Sequence, residues 1–159
     1  MEEIQMQQFI GTKIVQAWPA YRCTFIGGKV VYVCADEIIP SGCRAEEGYR
    51  VQYEDGYLSW SPRDVFEEAY REVSGLSFGL AIEAAKKGKK IARAGWNGKN
   101  QYVELATCIS YRNATGDDVN VDHEAIGNKA LAFVGTSGVQ MGWLASQADM
   151  LADDWRIVE

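Results

Sequence analysis

Nucleophilic catalysis needs a Ser, Cys or Thr with a base in reach. The chain has one histidine, His123, in the acidic stretch Asp122-His123-Glu124. The plain reading there is a solvated loop histidine. The carboxylate pairs Asp117-Asp118 and Asp153-Asp154 are adjacent in sequence, the pattern of solvated loop acids. A phosphate cradle such as G-x-x-x-x-G-K-[ST] or G-x-G-x-x-G does not follow any strand pattern. The four cysteines, Cys23, Cys34, Cys43 and Cys108, form no C-x-x-C pair and stand far from His123. Zinc asks for about four ligands at tight spacings, so metal binding is not expected, and the thiols read as small apolar fillers. Catalytic residues, metal ligands and cofactors are all expected to be absent.

Recognition is better served. Trp96 stands in Gly95-Trp96-Asn97-Gly98-Lys99-Asn100. Glycines on both sides free the backbone and let a ligand come close. The indole offers a face on which a purine can stack, worth about 1–3 kcal/mol. Asn97 and Asn100 supply donors and acceptors for a base edge, and Lys99 can meet a phosphate. The other reading makes Trp96 a lid folded back on a small core. A second cluster runs from Met141 to Met150 (MGWLASQADM). Alternation there puts Met141 and Trp143 on one face. Ser146, Gln147 and Asp149 follow where the chain turns and backbone N–H groups are free, a setting that suits ribose hydroxyls or phosphates. Ordinary capping of a helical turn by Ser146 explains the same residues.

The elements that must place these clusters follow from periodicity. Residues 1–75 read as a small strand-and-helix module. Thr12–Ala17 alternates weakly, and Lys29–Cys34 (KVVYVC) is a β-branched strand after a Gly27-Gly28 turn. Ile38–Glu47, with Pro40, Gly42 and charge, reads as loop. Tyr49–Tyr53 and Tyr57–Trp60 make a hairpin around Glu54-Asp55-Gly56, because Asp-Gly supplies the positive φ that a tight turn demands. Ser61-Pro62 then starts a helix carrying Val65, Phe66, Ala69 and Tyr70 on one face. Ser74-Gly75 is the expected joint.

In residues 76–159, Ser77 caps a helix whose Phe78, Ala81, Ile82 and Ala85 form one apolar stripe. Lys86, Lys87, Lys89 and Lys90 crowd its C-terminal end, where cations complement the helix dipole. Ile91–Ala94, Gln101–Ile109, Leu131–Gly135, Val139–Leu144 and Trp155–Val158 read as strands, and Ser110–Ala125 as a long polar loop. The fold class is therefore α+β: a small N-terminal strand-and-helix module, then a C-terminal domain with one main helix packed on an antiparallel sheet.

Charge narrows the partners. The net charge is −6, whereas nucleic acid asks for a basic face. Residues 1–75 hold 7 Lys+Arg against 12 Asp+Glu, and residues 76–159 hold 9 against 10. The acidity belongs to the first module. No nucleic acid and no membrane partner is expected: Met1-Glu2-Glu3 is wrong for a secretory leader, and no run approaches the ~18 apolar residues of a span. The expectation is a cytoplasmic protein. Three tryptophans (Trp96, Trp143, Trp155) in a domain with a small core are hard to cover alone, which predicts a homo-oligomer.

The segment Leu76–Glu159 resembles the phage Thoeris anti-defence sponge family, the second of its two types. The resemblance lies in LSFGLAIEAAKKGKKIARAGWNGKNQYV at the domain start and WLASQADMLADDWRIVE at its end. It implies a non-enzymatic sponge that binds cyclic ADP-ribose isomers, and for some members cyclic dinucleotides, and keeps them from the effector. It implies a homotetramer with pockets formed between protomers. By position, Phe78 and Trp96 become the aromatic faces around adenine, Asn97 lies near its edge, and Trp143–Asp149 lines the same pocket. Residues 1–75 are an extra module, whose YEDGYLSWSPRDVFEEAY looks like a short domain common among phage proteins. Two rivals stand beside this reading: a structural or interaction module with tryptophans as interface anchors, and a hydrolase of the same ligand.

Overall fold

The alternating run at Tyr49–Tyr53 belongs to a longer strand than its pattern suggests. In the computed structural model, which describes residue 8, residues 10–121 and residues 129–159, strand β3 spans Cys43–Gln52. Its first half is charged and sits in the stretch expected to be loop. The strand extends because β1 (Gln16–Phe25) pairs with it over its whole length, and Arg22 on β1 meets Glu46 on β3 at 2.5 Å. Cross-strand charge pairs of this kind hold a register that apolar alternation does not announce. β2 (Val30–Cys34) and β4 (Leu58–Pro62) complete an antiparallel sheet ordered β2-β1-β3-β4. Gly56 carries the positive φ of +83° that the Asp-Gly turn requires.

Helix α1 (Arg63–Ala69) follows directly. Its N-cap is Pro62 with no side-chain cap bond, so Ser61 is not the cap: it lies within β4. Nor is the apolar face as broad as expected, since Val65 is 57% exposed. Phe66 anchors the helix instead, stacked on Tyr49 at 4.3 Å and on Tyr70 at 4.8 Å between ring centroids. Ala20, Cys23, Val33 and Val51 are buried, with Cys23 in the filler role its small apolar side chain suggested. Gly48 is glycine for a packing reason: a Cβ there would strike the Trp60 ring and the Ser61 carbonyl.

The chain divides into two compact units, Met1–Arg71 and Glu72–Glu159. The second unit is built on a five-stranded antiparallel sheet ordered β10-β9-β6-β5-β11. Its strands are β5 (Lys90–Arg93), β6 (Tyr102–Ala106), β9 (Ala130–Gly135), β10 (Gly138–Met141) and β11 (Trp155–Val158). Helix α2 (Phe78–Lys86) is capped by Ser77, whose Oγ accepts from the Leu80 N–H. Its buried stripe is Ala81, Ala84 and Ala85, small side chains that let the helix sit close on Ile91, Val103 and Trp155. Helix plus antiparallel sheet is the expected α+β arrangement.

The polar stretch read as one long loop holds a second sheet, a two-stranded hairpin of β7 (Ile109–Arg112) and β8 (Asp118–Val121). Each strand has only four residues, ISYR and DVNV, too short a run for its alternation to stand out in a stretch rich in Asn, Asp, Thr and Gly. The turn is tied by Asn113 Oδ1, which accepts from the N–H groups of Thr115 and Asp117. No helix among the described residues is long and apolar enough to cross a membrane.

Trp155 closes this unit. It is 0% exposed, its backbone bridges to Leu76, and its Nε1 donates to the Asp149 carbonyl at 2.8 Å. Trp155→Ala is expected to cost about 3–5 kcal/mol, the usual range for emptying a buried ring site. Trp155→Phe keeps ring contacts but forfeits the hydrogen bond, about 0.5–1.5 kcal/mol. Thermal melts of the two variants should rank in that order.

Candidate ligand-binding cleft

β5 ends at Arg93, and its guanidinium ties the following loop to the C-terminal turn. Nε donates to Asp154 Oδ1 at 2.8 Å, and Nη1 donates to Asp149 Oδ1 at 3.0 Å. Asp154 Oδ2 accepts from the Gly95 N–H at 3.0 Å, and Trp96 Nε1 donates to Asp149 Oδ1 at 3.4 Å. The Arg93 and Asp149 side chains are 21% and 14% exposed, so this pairing is screened less than a surface one. Asp149 is engaged on its other oxygen too. Oδ2 accepts from Ser146 N–H at 3.0 Å and Ser146 Oγ at 2.7 Å, the reciprocal capping box of helix α3 (Gln147–Met150).

The electrostatics follow from these contacts. Burial alone would raise the Asp149 carboxyl, but donation from Ser146, Arg93 and Trp96 outweighs it and holds it below the usual carboxylate range. Arg93 and the Gly95 N–H hold Asp154 low as well, against a smaller opposing push from burial. Both acids are therefore charged partners of one arginine.

Above this network the aromatic rings meet. Trp96 lies edge-on to Phe133, Trp143 and Trp155, with centroids 5.3, 6.0 and 5.4 Å away. Trp143 is fixed by its N–H bond to the Leu131 carbonyl. Trp96 packs against the core cluster, so it is only half free. The glycine-flanked loop does fold its indole back, because Asp149 and three rings receive it. The outer side of the same indole forms the wall of a cleft of about 240 Å³, lined by Trp96, Asn97, Gly98, Gln101, Phe133, Trp143 and Asp149.

The structure brings together four of the expected site residues, Trp96, Asn97, Trp143 and Asp149. The others do not line the cleft. Phe78 opens helix α2 and packs its ring on Trp155 at 5.5 Å, one ring further into the core than Trp96. Lys99 and Asn100 are exposed, Asn100 in the left-handed region at φ +56°. Met141 is 42% exposed rather than buried with Trp143, because β10 is the sheet edge and has a neighbour on one side only. Ser146 serves as the cap, and Gln147 is exposed as the first residue of α3. Gln101 and Phe133 were missed. Phe133 lies within a strand that was foreseen, but linear spacing does not say which strand will face the Trp96 loop. His123 lies outside the described residues. Among the described residues, no group of three or more His, Cys, Asp or Glu is placed to hold a metal ion.

Residues 76–158 match the family described as the Thoeris anti-defense 2-like domain. The chain belongs to this family. A protein of Bacillus phage SP01 described as Thoeris anti-defense 2 is 35% identical to it over 86 residues, covering 52% of this chain and 94% of that protein. Membership makes this a phage-type anti-defence protein, and the matched residues are those that build the cleft.

Two outcomes test the network. Trp96→Ala should destabilise by about 2–3 kcal/mol, less than a fully buried ring because one side is open; chemical denaturation measures it. The depressed acids set a pH dependence. A group whose folded pKa is lowered contributes stability that is present above its unfolded pKa, near about 4, and is lost as pH falls through the folded value. The melting-temperature difference between the parent chain and Asp154→Asn should therefore be full at neutral pH and shrink below about pH 4.

Proposed function

We propose that this protein sequesters a cyclic nucleotide signal, a cyclic ADP-ribose isomer, in the Trp96 cleft and withholds it from its effector without altering it. The observation that carries this reading is the chemistry of the cleft wall. It offers aromatic rings for a base, side-chain amides for its edge, and one carboxylate whose oxygens are already engaged by Arg93, Trp96 and Ser146. An acid so engaged serves poorly as a general base, which must reach the proton it removes. Membership in an anti-defence family agrees with a role that needs binding alone. Sequestration works by abundance and a slow off-rate. The place of action that follows is the cytoplasm of the infected cell.

A cleft of about 240 Å³ falls below the ~300–1,000 Å³ of ligand pockets. It suits a base and part of a sugar, and a second copy of the chain would supply the rest. Val139 and Met141 on the edge strand β10, and Leu144 just after it, are 61%, 42% and 87% exposed, apolar surface that a partner can cover. The reading therefore includes a homo-oligomer, in the form of a tetramer. Tryptophans acting as outward interface anchors fit less well, since Trp155 is fully buried and Trp96 packs inward.

Incubation with cyclic ADP-ribose isomers, then heat denaturation and chromatography, should return the ligand intact, while titration shows saturable binding. Light scattering on the same sample should give an oligomer mass. Linear ADP-ribose accumulating over many turnovers would overturn the sponge reading. Cyclic dinucleotides in the same titration show whether the cleft also accepts them.

A further inference from the structure

Gln101 is the residue of the cleft that sequence spacing did not single out, and its setting is unusual. It follows the Trp96 loop directly and precedes β6. A Cβ built on Gly98 would overlap the Gln101 amide group, and one on Gly135 would lie 3.8 Å from its Nε2. The amide therefore lies directly over Gly98, in space that a side chain there would contest. Among the described residues, no hydrogen bond joins the Gln101 amide to the protein, and the group is half-buried in the cleft wall beside Trp96 and Phe133. Asn97 also lines the cleft but is exposed, so it is not held in one place.

We propose that Gln101 is the specificity-determining residue of the cleft, reading the edge of an adenine stacked on the tryptophan wall. The inference rests on the sequestration reading above and adds which base the site prefers and why. A glutamine amide carries a donor and an acceptor side by side. Adenine presents the matching pair on its N6/N7 edge, an amino donor and a ring acceptor, and glutamine pairs with it through two bonds. Hypoxanthine presents two acceptors at that edge, so the amide oxygen would face an oxygen and one bond would be lost. Asp149 cannot take this part, because its oxygens are engaged. The Gln101 amide already stands in the cleft wall, so a base edge can meet it without first breaking a protein hydrogen bond.

The experiment titrates a cyclic ADP-ribose isomer and its hypoxanthine counterpart against the full chain and two variants. The parent chain should prefer the adenine ligand by about 5- to 150-fold, the discrimination of a bidentate pair. Gln101→Leu should lose adenine affinity by a similar factor and bind both ligands alike. Gln101→Glu has the same shape. Its carboxylate still accepts from the adenine amino group but repels N7, so adenine affinity should fall. Hypoxanthine offers two acceptors there and is repelled at both, so the adenine preference should persist in this variant. Melting curves near that of the parent chain exclude collapse as the cause. If Gln101→Leu keeps the adenine preference, or the parent chain shows none, the Gln101 inference is overturned while the sponge reading stands. If the parent chain binds neither ligand, the sponge reading fails and this inference with it.

Discussion

The indole of Trp155 is where the two ends of the C-terminal unit meet, and the cleft exists because they meet there. Its backbone pairs with Leu76, just ahead of the capped helix, and its Nε1 holds the Asp149 carbonyl. Its ring touches Phe78 on one side and Trp96 and Trp143 on the other. A side chain with 0% exposure contributes the large apolar area that a domain with few big core residues otherwise lacks, since most of its helix stripe is alanine. Arg93 adds direction to this packing. It draws Asp149 and Asp154 to one point and fixes the loop that carries Trp96. Packing sets the distance between the segments, and the ion pairs set their angle.

Much of this was legible where local chemistry and tertiary use coincide. The Ser77 cap, the Asp-Gly hairpin turn, the KVVYVC strand and the terminal Trp155–Val158 strand depend on short-range patterns, and they appear as read. The missed strands are those whose apolar pattern is weak. The first half of β3 is largely charged and is held by pairing with β1, and β7 is only four residues long. Periodicity reports burial, so it is silent about them.

The cleft shows the same division. Trp96, Asn97, Trp143 and Asp149 lie in segments whose composition pointed to recognition. Phe133 and Gln101 join them only because β6 and β9 are neighbours, a fact of topology. Lys99, Asn100 and Gln147 were named for having suitable side chains in a suitable stretch, yet a turn sends successive residues in different directions. Trp96 answers the lid reading given for it: the loop folds it onto the core, and it lines the cleft as well.

Under the proposed sequestration, that packing bears on the cost of holding a ligand. An aromatic side chain swinging free in a loop would have to be ordered at each binding event, at about 0.5–1.5 kcal/mol per immobilised side chain. Here Trp96 is already held by Asp149 and three rings, and the Trp143 ring by its contacts with Trp96, Phe133 and Trp155. The same contacts that stabilise the fold therefore hold the recognition surface in place. The Asp149 carboxylate is part of that framework, with Oδ1 engaged by Arg93 and Trp96 and Oδ2 by Ser146.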